Sequence, residues 1–132
     1  MREQAWGGVP ILRLGEVLIT GLLNELGDES AGAFTDELIR RISEDGARGV
    51  LIDISRLQMV DSFVARMLME MTSMARLLGA RVIVAGLQPA VAITLVELGL
   101  ELDGVETALN AEMGMAALGW QQNPRPPGRG TT

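Results

Sequence analysis

Cysteine, histidine and lysine are all absent from this chain of 132 residues, whose eleven basic residues are therefore all arginine. These absences exclude whole classes of chemistry. No Schiff base, phosphate-loop lysine, Ser-His triad, thiol nucleophile or His- or Cys-ligated zinc site can be assembled. No disulfide can form, so nothing points to an oxidising compartment. Aromatic residues make up only 3%, which leaves no stacking platform for single-stranded nucleic acid. Eleven basic against seventeen acidic residues give a net charge of −6, the wrong sign for binding a polyanion. The longest apolar run, Ala90–Val96, falls well short of the ~18 residues that span a bilayer. Met1–Gly8 has no apolar stretch of the kind a secretory leader carries. The expectation is a cytoplasmic protein that engages neither nucleic acid nor membrane. Carboxylates, hydroxyls and arginine are what remain for catalysis, and they favour a non-enzymatic role without a cofactor.

What is present suits one packed domain. Hydrophobic residues account for 48% and charged residues for 21%, an ordinary balance for a chain that buries a core. With so few aromatics, that core is aliphatic. Val9–Leu14 and Val17–Gly21 are short β-rich runs joined by Gly15-Glu16, the pattern of a hairpin. From Asp28 to Asp45, Phe34, Leu38 and Ile42 recur every four residues, which predicts an amphipathic helix with Asp28 or Ser30 as N-cap and Gly46 as its stop. Gly49–Ile54 reads as a strand buried on both faces. Asp61 or Ser62 then caps a second helix to Leu78, with an apolar stripe of Phe63, Met67, Met71, Met74 and Leu78. Arg81–Ala85 is another buried strand. Pro89 opens a third helix over 90–98, a short strand lies near Val105–Thr107, and Ala111–Leu118 is a last helix. A hairpin followed by repeated helix–strand units predicts an α/β fold: a mixed, mostly parallel sheet of about five strands flanked by about four helices, with right-handed crossovers. The expected organisation is a lead-in over 1–8, a domain over 9–119 and a disordered Pro- and Gly-rich tail over 120–132 that cannot repay its ordering entropy.

Met59–Phe63 (MVDSF) is the most informative stretch, because it opens a helix at the carboxyl edge of the sheet, where ligands and partners engage open α/β sheets. Backbone N–H groups and the helix dipole there favour a phosphate on Ser62. The same Asp61-Ser62 pair serves equally well as ordinary caps. Ser62, Arg66, Met69 and Ser73 fall on one helix face at spacings of four, three and four. Together with Asp61 and Phe63 they make a candidate partner-binding surface, on which Met69 is the apolar contact. Asp53 sits where a receiver domain takes its phosphoryl group, but there is no acidic pair after the first strand and no lysine, so it reads as a turn or capping acceptor. Met67, Met71 and Met74 could line a groove, although their helical spacing favours core packing. Gly79, Gly86 and Gly99 form no nucleotide-binding pattern and read as stops or turns. Thr94, in the third helix, is a second hydroxyl open to modification and is placed to back-bond to its own helix.

The hairpin, the GVLIDIS strand, the VDSF helix start, the ARVIVAGLQPAVAITLVELGL segment and the acidic ETAL stretch together resemble STAS domains of the SpoIIAA-like fold. More narrowly they resemble RsbS-type anti-sigma-factor antagonists, small single-domain components of bacterial stressosomes. The resemblance covers roughly 9–119. It implies a non-catalytic regulator whose phosphorylated serine is Ser62. The partners it implies are a GHKL-type serine/threonine kinase (RsbT-like), a multi-domain STAS co-antagonist (RsbR-like) and a resetting PPM-type phosphatase, in a homo- or hetero-oligomeric complex. Co-antagonist threonines that are phosphorylated align one position with Thr94. An alternative within the family is an accessory subunit of a membrane transport system that binds a small molecule or lipid.

Overall fold

A computed structural model describes residues 10–22, 28–99 and 105–120, with backbone alone for 28–30. The expected lead-in, the strand start at Val9, the tail beyond Trp120 and the capping side chains of Asp28 and Ser30 lie outside the described residues. Among the described residues, nine elements follow in order: β1 (Ile11–Leu14), β2 (Val17–Gly21), α1 (Asp28–Asp45), β3 (Gly49–Asp53), α2 (Ser62–Leu77), β4 (Arg81–Ala85), α3 (Pro89–Glu97), β5 (Glu106–Ala108) and α4 (Ala111–Ala117). Their spatial order in the sheet is their order in the chain. β1 pairs antiparallel with β2, and β2, β3, β4 and β5 run parallel. The mixed α/β sheet expected from the sequence is the one observed. Gly15 turns the hairpin at φ +63°, a conformation that costs glycine nothing.

Strand side chains alternate between two faces. Leu18, Val50, Ile52, Val82 and Val84 point into a core filled by Phe34, Leu38 and Ile42 of α1 and by Met67, Leu68, Met71 and Ala75 of α2. Val17, Leu51, Ile83 and Ala85 point the other way, against Met115 of α4, with Trp120 packed alongside. A third cluster joins Ala65 of α2 to Val91 and Leu95 of α3. Burying a side chain such as Phe34 or Leu51 contributes roughly 1.5–3 kcal/mol.

The expected stripe on α2 needs correction. Met67 and Met71 are buried, but Phe63, Met74 and Leu78 are 39%, 36% and 47% exposed. The buried arc consists of Ala65, Leu68, Met71, Thr72 and Ala75, with Met67 at its margin. Small residues let α2 lie close to its neighbours. Thr72 tolerates burial because its hydroxyl donates to Met69 O at 2.9 Å. Large apolar side chains marked the wrong edge of this helix.

Two contacts fix the far side of the sheet. Gly114 lets α4 approach so closely that a β-carbon there would collide with Leu51 Cδ1 and come within 3.3 Å of Ile83 Cγ2. Arg81 donates two hydrogen bonds to Glu106, at 2.6 and 2.7 Å, and one to Ala117 O at 2.8 Å, tying β4 to β5 and to the end of α4. These hydrogen bonds, with the positive charge behind them, hold the Glu106 carboxyl below the usual range against a smaller opposing effect of burial.

Two outcomes are expected. Gly114→Ala lowers stability by roughly 1–2 kcal/mol, because overpacking against Leu51 outweighs the gain in helix propensity of about 1 kcal/mol. A urea midpoint equal to or above the parent's would contradict that seating of α4. Glu106→Gln melts below the parent at neutral pH. Because the folded carboxyl value is lowered, the difference is present above the unfolded value of about 4.3 and closes as pH falls through the lowered one. A gap that persists in strong acid would assign it to packing instead.

Candidate functional site

The carboxyl ends of β3 and β4 meet at a hydrogen-bonded loop. Leu22 N–H donates to Asp53 O at 3.0 Å, Ile54 N–H to Ala85 O at 2.9 Å, and Gly86 N–H to Ala108 O at 3.1 Å. Asp53 Oδ1 accepts from Ser55 N–H at 2.9 Å, so the aspartate is the turn acceptor expected. Gly86, at φ +79°, passes so near Ser55 that a β-carbon would lie 2.7 Å from Ser55 Cβ. Gln88 donates to Ser55 O across the same gap. Ile54 and Leu57 are fully buried and pin the loop that leads to α2.

That loop ends in a cap. Asp61 has extended backbone, and its side chain accepts from Val64 N–H at 2.9 Å, while Asp61 O accepts from Ala65 N–H. Of the two capping candidates, Asp61 is the cap. Ser62 is the first helical residue and is exposed, and its hydroxyl makes no hydrogen bond among the described residues. The N–H groups of Ser62 and Phe63 have no intrahelical acceptor, so the helix end presents donors to an anion.

The stripe drawn from Ser62 through Arg66 and Met69 to Ser73 lies along the outer side of α2, with Met69 half-buried and the others exposed. Arg66, Met69 and Ser73 share a shallow surface groove with Glu70 and Met74. Phe63, Arg66, Met67, Glu70 and Met74 also line a cleft of about 440 Å³, whose opposite wall is Ala31, Gly32, Thr35 and Asp36 of α1. The cleft exists because α1 does not close over Phe63 and Met74. Thr35 and Asp36 escaped the sequence reading as cleft residues, since nothing in the local pattern says which turn of α1 faces α2. Thr94 is half-buried on α3, and its Oγ1 donates to Ala90 O at 3.0 Å, the back-bond expected. Val91 and Leu95 of α3 pack on Ala65, near the start of α2. The outer side of α3 leaves Ile93 58% and Val96 75% exposed. No cluster of three or more metal-ligating side chains occurs among the described residues. No described helix is long and apolar enough to cross a membrane.

A family profile for the STAS domain matches residues 10–110. The chain belongs to the STAS-domain family. It is 42% identical to a solved serine-to-glutamate variant of RsbS from Moorella thermoacetica, covering 85% of this chain and 95% of that one at a TM-score of 0.77. A chain from a structure of the stressosome, described as a signal integration and transduction hub, is 43% identical over 83% of this chain and 96% of its own length, at a TM-score of 0.76. The STAS fold is shared more distantly with the anti-sigma-factor antagonist SpoIIAA, at 13% identity and a TM-score of 0.63. Among curated proteins, the RsbT co-antagonist protein RsbRA of Bacillus subtilis is 29% identical over 99 residues, which cover 75% of this chain and 36% of RsbRA. The chain spans just over a third of the length of the curated relatives it matches. Within its family, this STAS domain resembles the RsbS type.

Asp61→Ala should cost about 1 kcal/mol by removing the cap of this STAS domain's second helix, while Asp61→Asn should cost much less. Urea unfolding of both variants checks this. Equal losses would mean that charge, and not the hydrogen bond to Val64 N–H, is what Asp61 supplies.

Proposed function

We propose that the chain is a non-catalytic partner-switching regulator that sequesters a GHKL-type serine/threonine kinase and releases it once Ser62 is phosphorylated. The observation that carries this reading is the free Ser62 hydroxyl at a capped helix start, beside the α1–α2 cleft, in a domain 42% identical to RsbS. Asp61 does the capping, so Ser62 can be modified without unravelling α2. In the reaction the serine oxygen attacks the γ-phosphorus of ATP, the bond to the bridging oxygen breaks, ADP leaves and the hydroxyl proton is lost to a base of the kinase. The product carries about −1.5 to −2 charge at neutral pH. The helix N-terminus tolerates that charge, whereas Asp61 and a partner resting on Phe63, Arg66, Met69 and Ser73 meet it as a repulsive, strongly hydrated group.

The assembly proposed is a stressosome-like, cytoplasmic complex with RsbR-like co-antagonists, reset by a PPM-type phosphatase. Its support is the similarity to a stressosome chain and to three proteins named as RsbT co-antagonists. Thr94 is a second phosphorylation candidate, and its back-bond to Ala90 O makes its hydroxyl less available than that of Ser62.

Incubation with an RsbT-type kinase and Mg-ATP, followed by phosphosite mapping, should place the phosphate on Ser62, and Ser62→Ala should abolish it. Ser62→Asp should weaken kinase capture at least tenfold, a loss of about 1.4 kcal/mol, with the melting temperature nearly unchanged. Unaltered affinity would overturn the switch. Binding to a transporter ATPase in place of the kinase would favour the accessory-subunit reading.

A further inference from the structure

Arg66 stands one helical turn beyond Ser62, at i+4 on α2, and both side chains are exposed. Residues at this spacing share a face, and an anion placed N-terminal to its cation is the better order, because each then also opposes the helix dipole. Arg40, Arg41, Arg48 and Arg81 are engaged by Glu37 and Glu44, Asp45, Glu16 and Glu106. Arg66 differs from these four. Among the described residues it makes no ion pair and donates no side-chain hydrogen bond, although Glu70 lines the same two hollows. Its guanidinium therefore stands uncommitted at the rim shared by the α1–α2 cleft and the outer groove of α2.

We propose that Arg66 is the intramolecular receptor for a phosphate on Ser62, a proposal that rests on the assignment of Ser62 as the modified residue. A phosphoserine oxygen reaches further than the hydroxyl it replaces, and a guanidinium pairs with phosphate through parallel N–H donors. The pair ties down a side chain that is otherwise free to meet a partner. Modification then changes two surfaces together. It adds negative charge at the helix start, and it withdraws the positive charge from the rim of both hollows. A partner that uses Arg66 loses that contact even where the phosphate does not touch it. Asp61 Oδ1 is occupied by Val64 N–H, and Asp61 makes no ion pair with Arg66 among the described residues.

The test installs phosphoserine at position 62 during translation, so that no kinase is required, and follows the phosphate by ³¹P NMR titration at low salt. The second ionisation of the phosphate should lie about half a unit lower in the parent than in Arg66→Gln. Arg66→Lys should retain part of the shift, and Arg76→Gln, near the far end of α2, should leave it unchanged. The ¹⁵N–¹H signal of Arg66 Nε should move on modification. Superimposable titrations of the parent and Arg66→Gln would overturn the proposal and leave the helix end as the sole stabiliser of the phosphate. The two readings fail separately. A kinase that never modifies Ser62 overturns the function proposed above while the titration still decides the Arg66 contact, and matching titrations with normal modification do the reverse.

Discussion

Gly49–Asp53 is held by hydrogen-bond ladders between two parallel neighbours and carries apolar side chains on both faces, and the other elements are placed by the need to cover them. Val50 and Ile52 have to be covered on one side and Leu51 on the other. The first side is covered by two long helices, whose Phe34, Leu38, Met71 and Ala75 fill the space above the strands. The second is covered by a helix of only seven residues, which succeeds by approaching closely at Gly114 and by being held at its end through Arg81. Parallel pairing also brings the carboxyl ends of β3 and β4 to the same edge. The loop leaving β3 is pinned there by Ile54 and Leu57, so the start of α2 is set by the core although its first side chains point outward.

Much of this was legible in the sequence because the signals were local. The Gly15-Glu16 connection, the four-residue recurrence of Phe34, Leu38 and Ile42, the GVLID run and Pro89 each announce one element, and each element lies within a residue or two of its expected bounds. The α2 stripe was misplaced because its buried arc is built on Ala65, Thr72 and Ala75, residues too small or too polar to stand out in a hydrophobic pattern. The α1 wall of the cleft was invisible for a different reason: the facing of Thr35 and Asp36 depends on how two helices cross, and neither sequence records that alone. At the site, the sequence named Asp61 and Ser62 as interchangeable caps. Backbone geometry separates them. Asp61 takes the extended conformation and the Val64 N–H, and Ser62 is left as the first helical residue with an uncommitted hydroxyl.

That separation matters for how a single charge could act. A phosphate placed on a capping side chain would compete with the hydrogen bond that starts the helix, and the cost would fall on folding, at about 1 kcal/mol for a lost cap. On Ser62 it meets unpaired N–H groups and the positive end of the helix dipole, interactions of a few tenths to about 1 kcal/mol that favour the folded state. Folding energy therefore changes little, and its sign is not adverse. An intermolecular surface resting on the same residues faces a different balance, because it must desolvate a dianion or leave it unpaired, at a cost of several kcal/mol. With these magnitudes a modification at the first position of a capped helix reports almost entirely in partner affinity. The Asp61-Ser62 order, cap first and hydroxyl second, supplies that arrangement.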